Sequence, residues 1–103
     1  MTKESTIAIV GAGPGGLSAG MLLAHVGYDV TIYEKEARIG GRTSRLKMGE
    51  YSFDLGPTFL TMVFLLEELF QMCDKELDSY LKLTTLDPMY RLIFPNCTLE
   101  MTT

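Results

Sequence analysis

Three glycines, Gly11, Gly13 and Gly16, have the spacing of a turn that binds phosphate groups. They follow an apolar stretch, residues 6–10, whose β-branched side chains favour a strand, and they precede a helix-like stretch, residues 17–26. A glycine turn between a strand and a helix directs the first free N–H groups of the helix at a pyrophosphate. Gly11 would allow the sharp turn, Gly13 would admit the phosphates, and Gly16 would let helix and strand pack closely. The chemistry predicted here is the binding of a dinucleotide.

The surrounding residues extend this turn to a complete βαβ unit. Pro14 stands where the turn becomes a helix, a position at which its missing N–H costs little, and Gly15 completes the glycine run. A second strand, Asp29–Tyr33, leads to Glu34, which lies 18 residues after Gly16. At a spacing of about 20 residues such a carboxylate accepts hydrogen bonds from the ribose of an adenosine. This context disfavours the alternative, a coincidental glycine loop in an unrelated α/β domain.

The loop after the acid, residues 35–42, adds positive charge and two further glycines. It begins with Lys35, a candidate cofactor contact, and ends with Gly40, Gly41 and Arg42. A helix N-terminus supplies only about half a positive charge, so the two phosphates of an extended flavin dinucleotide gain from a guanidinium that binds oxygens in a fixed fork. The loop therefore favours FAD over NAD as the ligand. A flexible, solvated loop is the alternative interpretation.

The composition and charge of the chain argue against several other functions. The chain has 103 residues and a formal net charge of −4, and it contains no cluster of lysine and arginine of the kind that nucleic acids require. We therefore expect no nucleic-acid partner, and at most one domain. The two cysteines, Cys73 and Cys97, are in no metal-binding spacing, and the single histidine, His25, suits a structural or surface role. We name no catalytic residue and no metal site.

The segment from Thr6 to Tyr28 carries no charged side chain apart from His25 when protonated, so its hydropathy resembles that of a membrane helix or a signal peptide. Its glycines and Pro14 divide it into strand, turn and helix, which argues against both. We therefore expect a cytoplasmic protein, with peripheral contact to a membrane left open.

Six further elements are predicted after the loop. Residues 43–48 and Tyr51–Asp54 form a β-hairpin around Gly49 and Glu50, and residues 59–73 form a helix for which Thr58 is the N-cap. That helix is apolar nearly all round, so it is either a core helix of a larger fold, or a wall of an apolar channel or a membrane-contacting surface. Short strands follow at residues 81–86, Tyr90–Phe94 and 98–101.

Three motifs in order, residues 11–20, 33–42 and 53–58, resemble the N-terminus of FAD-dependent carotenoid desaturases. These are the phytoene and diapophytoene desaturases, within the flavin amine oxidase superfamily. The resemblance covers almost the whole chain. It implies an α/β fold with a Rossmann-like FAD-binding βαβ unit, FAD as cofactor, and an apolar polyene or isoprenoid substrate.

The resemblance also assigns roles to matching residues. The glycine run would bind the pyrophosphate, Glu34 the ribose and Arg42 a phosphate, and Gly56, Pro57 and Thr58 would lie toward the flavin ring. Members of the family are several times longer, so residues 1–103 are expected to be the N-terminal part of an incomplete FAD-binding domain. The family often has a glycine in the turn near residue 97, where this chain has Cys97.

Two other hypotheses remain open. One is a flavin amine oxidase or a protoporphyrinogen-type oxidase, which shares the N-terminal motifs. The other is a non-enzymatic protein similar to the Rab GDP-dissociation inhibitors, which hold a prenylated partner on the same fold. Glu34 and Arg42 argue against the second, because a protein without a flavin does not need them.

Overall fold

A computed structural model describes residues 5–102 of the chain, and residues 1–4 and 103 of the predicted domain lie outside them. In chain order the elements are β1 (Thr6–Val10), α1 (Pro14–His25), β2 (Asp29–Tyr33), β3 (Arg45–Met48), β4 (Tyr51–Asp54), α2 (Val63–Met72), β5 (Tyr90–Phe94) and β6 (Cys97–Met101), with short 3-10 turns at Gly41–Thr43 and Leu77–Ser79. The strands pair as three two-stranded sheets, β1 with β2, β3 with β4 and β5 with β6.

The predicted βαβ unit is present with the expected strand bounds. β1 and β2 are parallel, in a register that pairs Thr6 with Asp29 and Val10 with Tyr33. α1 lies against one face of this sheet, where Gly20 is buried and its Cα approaches Ile9 and Ile32. The absence of a side chain on Gly20 is what allows the helix to lie this close, since a Cβ there would come within 2.9 Å of Ile32 Cδ1. The α/β fold class is thus confirmed.

The predicted hairpin is present as β3 and β4, and the short strands predicted at Tyr90–Phe94 and 98–101 pair with each other as a second hairpin, β5 and β6. β3 begins at Arg45 rather than at Thr43, because Thr43 belongs to the preceding 3-10 turn, where its N–H donates to the carbonyl of Gly40 at 3.0 Å. In the second hairpin, Cys97 opposes Phe94 as a regular strand residue, and its φ is not positive. The turn therefore does not need the glycine that relatives often carry.

Helix α2 is shorter than predicted. It begins at Val63, not at residue 59, and Thr58 does not cap it: the N-cap is Met62, in the left-handed region with φ of 56°, and no side chain caps the helix. Helices gain most of their stability by packing an apolar face, and Phe59, Leu60 and Met62 are largely exposed. The apolar pattern indicated a helix from residue 59, but residues 59–62 have no packed surface against which a helical turn would be stabilised.

The predicted strand at residues 81–86 is wrong. The segment has no regular structure, and no strand among the described residues pairs with it. Its leucines and threonines suit a strand, but a strand is stable only when a neighbour satisfies its backbone groups.

The chain exposes far more surface than a compact protein of its size. Its accessible surface is 8891 Å², whereas a compact monomer of this mass exposes about 5,800 Å². The Cα radius of gyration is 18.3 Å, against about 13 Å for a compact domain of this length. The sheet face opposite α1 is uncovered, with Val10 90% exposed, and so is one side of α2, where Phe64 and Leu65 are half exposed.

Candidate dinucleotide-binding site

The site is built on the turn between β1 and α1. Gly11 adopts φ of +101°, which a residue with a side chain rarely adopts, and its N–H donates to the carbonyl of Tyr33 at 2.7 Å. This bond fixes the turn to the end of β2. Gly13 is extended and is the N-cap of α1, and Pro14 is the first helical residue. The chain therefore reverses sharply at Gly11 and enters the helix at Pro14.

Gly16 is the point of closest contact between the helix and the turn. A Cβ on Gly16 would overlap the carbonyl oxygen of Gly11 and would lie 3.4 Å from Ile9 Cγ2. Only glycine fits here without a shift of the backbone, in agreement with the packing role that the sequence indicated.

One side of the same turn is open. A Cβ added to Gly13 or Gly15 would meet no atom within 4 Å. The N–H groups of Gly15 and Gly16 lie in the first turn of α1 and have no partner within the helix, whose ladder begins with Leu17 N–H donating to the Gly13 carbonyl at 2.9 Å. The turn thus offers open space beside N–H donors, the combination that a pyrophosphate needs.

The Glu34 carboxylate contacts the turn directly. Its Oε2 accepts a hydrogen bond from the Ala12 N–H at 2.7 Å, and its Oε1 accepts one from the Glu36 N–H at 3.0 Å. The bonds from Glu36 and Ala12 lower the pKa of Glu34 below the ordinary value of 4.5, and the Lys35 ammonium contributes in the same direction. Glu34 is therefore ionised at neutral pH and lies beside the residues predicted to hold the pyrophosphate.

The second glycine motif packs on the other side of Ala12. The Gly40 N–H donates to the Ala12 carbonyl at 2.7 Å, and Gly40 adopts φ of +107°. A Cβ on Gly41 would lie 3.2 Å from the Cα of Gly13, so the two loops touch through their backbones. Arg42 follows at once, in the 3-10 turn, and is therefore carried next to the glycine run.

The third motif contacts the second. A Cβ on Gly56 would overlap the carbonyl oxygen of Arg42, and the Leu55 N–H donates to the Ser44 carbonyl at 3.1 Å. Pro57 and Thr58 follow on the exposed surface. The three sequence motifs therefore meet in one place through close backbone contacts at their glycines.

The basic side chains of the site differ in their surroundings. Within residues 5–102, no carboxylate lies within 4.0 Å of the Arg42 guanidinium, whereas Arg45 faces Asp54 at 3.9 Å. Lys35 is exposed and lies 4.0 Å from a carboxylate oxygen of Glu36. Arg38 likewise has no carboxylate within 4.0 Å in the described chain, but its guanidinium donates to the Arg45 carbonyl at 3.4 Å, so Arg42 is the arginine of this loop for which neither an ion pair nor a side-chain hydrogen bond is found among residues 5–102.

Sequence reasoning missed Ala12 as part of the site. It acts through its backbone groups, and it is buried, with 2% of its surface exposed. No side-chain pattern marks such a residue, and only its position inside the glycine run could have indicated it. His25 lies away from the site, with Nε2 3.4 Å from Asp74 Oδ2, and Cys73 is buried as a free thiol.

The described part of the chain holds no group of three or more metal-ligating side chains. None of its helices has the length and apolar character needed to span a bilayer.

Comparison with known proteins agrees with this geometry. Residues 9–75, which contain all three motifs, match the model of the NAD(P)-binding Rossmann-like domain family. A 4,4'-diapophytoene desaturase (4,4'-diapolycopene-forming) of Methylomonas sp is 49% identical over 94 residues, which are 91% of this chain and 18% of that protein. A zeta-carotene-forming phytoene desaturase of Myxococcus xanthus is 43% identical over 93 residues, 90% of this chain and 18% of that protein.

A 4,4'-diaponeurosporene oxygenase of Staphylococcus haemolyticus is 41% identical over 94 residues, 91% of this chain and 19% of that protein. Among solved structures, a CLA-producing fatty acid isomerase from P. acnes superposes with a TM-score of 0.55 and 31% identity, over 76% of this chain and 19% of that one. The chain thus spans less than a fifth of the length of each of these proteins. Its resemblance to carotenoid desaturases is confirmed.

Proposed function

The chain belongs to the NAD(P)-binding Rossmann-like domain family, and from this premise we propose that it binds the ADP part of FAD within a longer flavin-dependent oxidoreductase. The observation that carries the proposal is the meeting of the motifs at Ala12, which Glu34 contacts from one side and Gly40 from the other. Residues at least 22 positions away in the sequence thus contact the glycine turn, which has open space on its other side.

The residues present fit an adenosine diphosphate. The open backbone at Gly13 and Gly15 leaves room for phosphates beside the free N–H groups of α1. The ionised Glu34 carboxylate has acceptor sites left for ribose hydroxyl groups, because each of its oxygens uses only one of its two lone pairs. A carboxylate at this position also disfavours a ribose that carries a phosphate.

Arg42 supports FAD over NAD as the dinucleotide. It lies next to the glycine run, has no carboxylate partner among residues 5–102, and can bind two phosphate oxygens at once. In this proposal Arg42 neutralises the pyrophosphate, and the contact of Gly56 with the Arg42 backbone holds that loop in place. Pro57 and Thr58 then extend toward the flavin ring.

A bound flavin supplies the redox chemistry of this class by accepting hydride from a C–H bond, while the protein supplies binding and position. We assign the longer protein to the desaturase-type oxidoreductases, with an apolar polyene as substrate, because the names of two relatives describe desaturases of diapophytoene and phytoene. The amine-oxidase and prenyl-binding alternatives have no such support.

We also propose that the apolar surface of this chain is covered in the longer protein. The half-exposed Phe64 and Leu65 of α2, and Val10 on the open sheet face, would pack against segments of the FAD-binding and substrate domains. A cytoplasmic location with peripheral membrane contact stays a prediction.

The cofactor assignment is tested by measuring the dissociation constants of FAD and NAD by equilibrium dialysis. We expect FAD to bind more tightly, and Arg42→Gln to weaken FAD binding about 10-fold through loss of a charge-assisted contact. Arg45→Gln is the matched control, because the Arg45 guanidinium already faces Asp54. Equal binding of FAD and NAD, or equal losses in the two variants, would contradict the assignment.

A further inference from the structure

Glu34 makes contacts in the ligand-free chain that a ribose acid alone does not require. Its two carboxylate oxygens accept backbone hydrogen bonds on opposite sides, from Ala12 in the glycine turn and from Glu36 in the following loop. The Ala12 bond, at 2.7 Å, joins residues 22 positions apart and is partly buried. The carboxylate thus bridges the glycine turn and the loop that leads to Arg42.

Ala12 is held on both of its backbone polar groups. While its N–H donates to Glu34, its carbonyl accepts from Gly40 at 2.7 Å, and its side chain is 2% exposed. The neighbouring Gly11 is tied to Tyr33 through its own N–H. The phosphate-binding turn has few packed side chains of its own, so these bonds are what fix its shape.

The direction of the Ala12 N–H follows from this arrangement. Because it points at Glu34, it is not available to a phosphate, and the phosphate donors left in the run include the N–H groups of Gly15 and Gly16, which have no partner within the helix; the open space lies at Gly13 and Gly15. If Glu34 were protonated, the Ala12 N–H would keep only a weaker, uncharged acceptor, and if the side chain were absent, the N–H would lose this acceptor and the turn could rotate. Prior ordering of a binding loop raises affinity because the ligand does not have to order it.

We propose that Glu34 is a positioning residue for the pyrophosphate turn, which it holds in its binding shape through Ala12 before any ligand arrives, in addition to contacting the ribose. The two roles are compatible, because a carboxylate has about four acceptor sites and the backbone uses two of them. The ribose role rests on the proposed function, whereas the positioning role concerns the ligand-free chain.

The first test uses the ligand-free chain and NMR. The Ala12 amide proton resonance should shift with pH as the Glu34 carboxyl titrates, with a midpoint below 4.5 because the hydrogen bonds lower this pKa. The residues of the glycine run carry no titratable side chain, and Lys35 is the charged side chain that acts on this carboxyl. A resonance that does not titrate in the unmodified chain would overturn the proposal.

Glu34→Gln keeps the shape of the side chain and removes its titration, so the Ala12 shift should disappear. Glu36→Gln is the matched control, because it removes the same charge from the same loop while the Glu36 backbone N–H remains. In that variant the Ala12 shift should persist. A shift that persists in Glu34→Gln, or that disappears in Glu36→Gln, would assign the titration to another group and overturn the proposal.

The second test separates positioning from ribose contact. ADP and 2',3'-dideoxy-ADP are titrated into the unmodified chain and into Glu34→Ala and Glu36→Ala, since the dideoxy compound has no hydroxyl group for Glu34 to bind. We expect Glu34→Ala, which unlike Glu34→Gln leaves no oxygen to accept from Ala12, to weaken binding of dideoxy-ADP about 2- to 10-fold relative to Glu36→Ala, the effect of one lost hydrogen bond on the turn.

Equal binding of dideoxy-ADP by the two variants would show that Glu34 acts on the ribose alone, which overturns the positioning role and leaves the proposed function intact. Failure of ADP to bind the unmodified chain would contradict the proposed function, while the pH titration of Ala12 would still decide the positioning role.

Discussion

Two glycines of the phosphate turn should respond in opposite ways to the same substitution. A Cβ on Gly16 would overlap the Gly11 carbonyl oxygen, whereas a Cβ on Gly13 would meet no atom within 4 Å. Gly16→Ala should therefore destabilise the fold, and Gly13→Ala should leave the fold intact and obstruct the ligand. The pair separates the packing role of the motif from its binding role.

The magnitudes follow from these contacts. The atom that Gly16→Ala would strike is backbone and cannot rotate away, so the upper end of the overpacking cost, about 3 kcal/mol, applies, reduced by about 0.5–1 kcal/mol because alanine suits a helix better than glycine. A net loss near 2 kcal/mol lowers the folding equilibrium constant about 30-fold. In Gly13→Ala, alanine is a poorer N-cap than glycine, which lowers the free energy of unfolding by about 0.5–1 kcal/mol. Alanine also reduces the conformational entropy of the unfolded chain, which raises the free energy of unfolding by about the same amount.

Urea unfolding followed by circular dichroism measures the first effect. With a slope near 1 kcal/mol per molar urea, Gly16→Ala should lower the midpoint by about 2 M. Gly13→Ala should keep its midpoint and bind ADP at least about 10-fold more weakly, as expected when a methyl group enters the space of a phosphate. Equal stability of the two variants, or normal ADP binding by Gly13→Ala, would refute this reasoning.

Three further results are expected. Glu34→Gln should weaken FAD binding about 10- to 100-fold, whereas Glu36→Gln should not, as measured by equilibrium dialysis; equal losses in the two variants would exclude a contact of Glu34 to the adenosine ribose. Because the folded-state pKa of Glu34 is lowered, its contribution to the free energy of unfolding is present above pH 4.5 and is lost as the pH falls through the folded-state pKa. The urea midpoint should show this loss in Glu36→Gln, which keeps the Glu34 carboxyl, and not in Glu34→Gln. Identical dependences of the midpoint on pH in the two variants would argue against a contribution of Glu34. Phe64→Ser, on the uncovered side of α2, should reduce the fluorescence of an apolar dye without lowering the urea midpoint; a large drop in midpoint would show that this side is packed.

The sequence predicted the βαβ unit well because each boundary there has a local cause. The β-branched run of β1, the glycines of the turn and Pro14 at the helix start each fix a backbone conformation without help from distant residues. β2 has the expected bounds, Asp29–Tyr33, for the same reason.

The wrong predictions lie where structure depends on packing partners. Residues 59–62 have an apolar helical pattern and residues 81–86 have the leucines and threonines of a strand, but neither segment forms the predicted element, and no strand of the described chain pairs with residues 81–86. Periodicity reports which face of an element is apolar, and it cannot report whether something covers that face.

The glycine turn and the charged side chains of the candidate site were predicted, whereas the backbone hydrogen bonds that join its segments were not. Glu34 and Arg42 are recognisable by charge and spacing, whereas the bonds of Ala12 to Glu34 and Gly40 arise only once the turn and the loop are folded. The contact between Gly56 and the Arg42 carbonyl is likewise visible only in three dimensions.

Calorimetric titration of the chain with ADP and with FMN tests the central claim most directly. The account predicts that ADP binds, that FAD displaces it, and that FMN does neither, because the glycine turn, Glu34 and Arg42 are proposed to contact the pyrophosphate and the adenosine ribose. Binding of FMN with the affinity of ADP, or no binding of ADP or FAD, would contradict it.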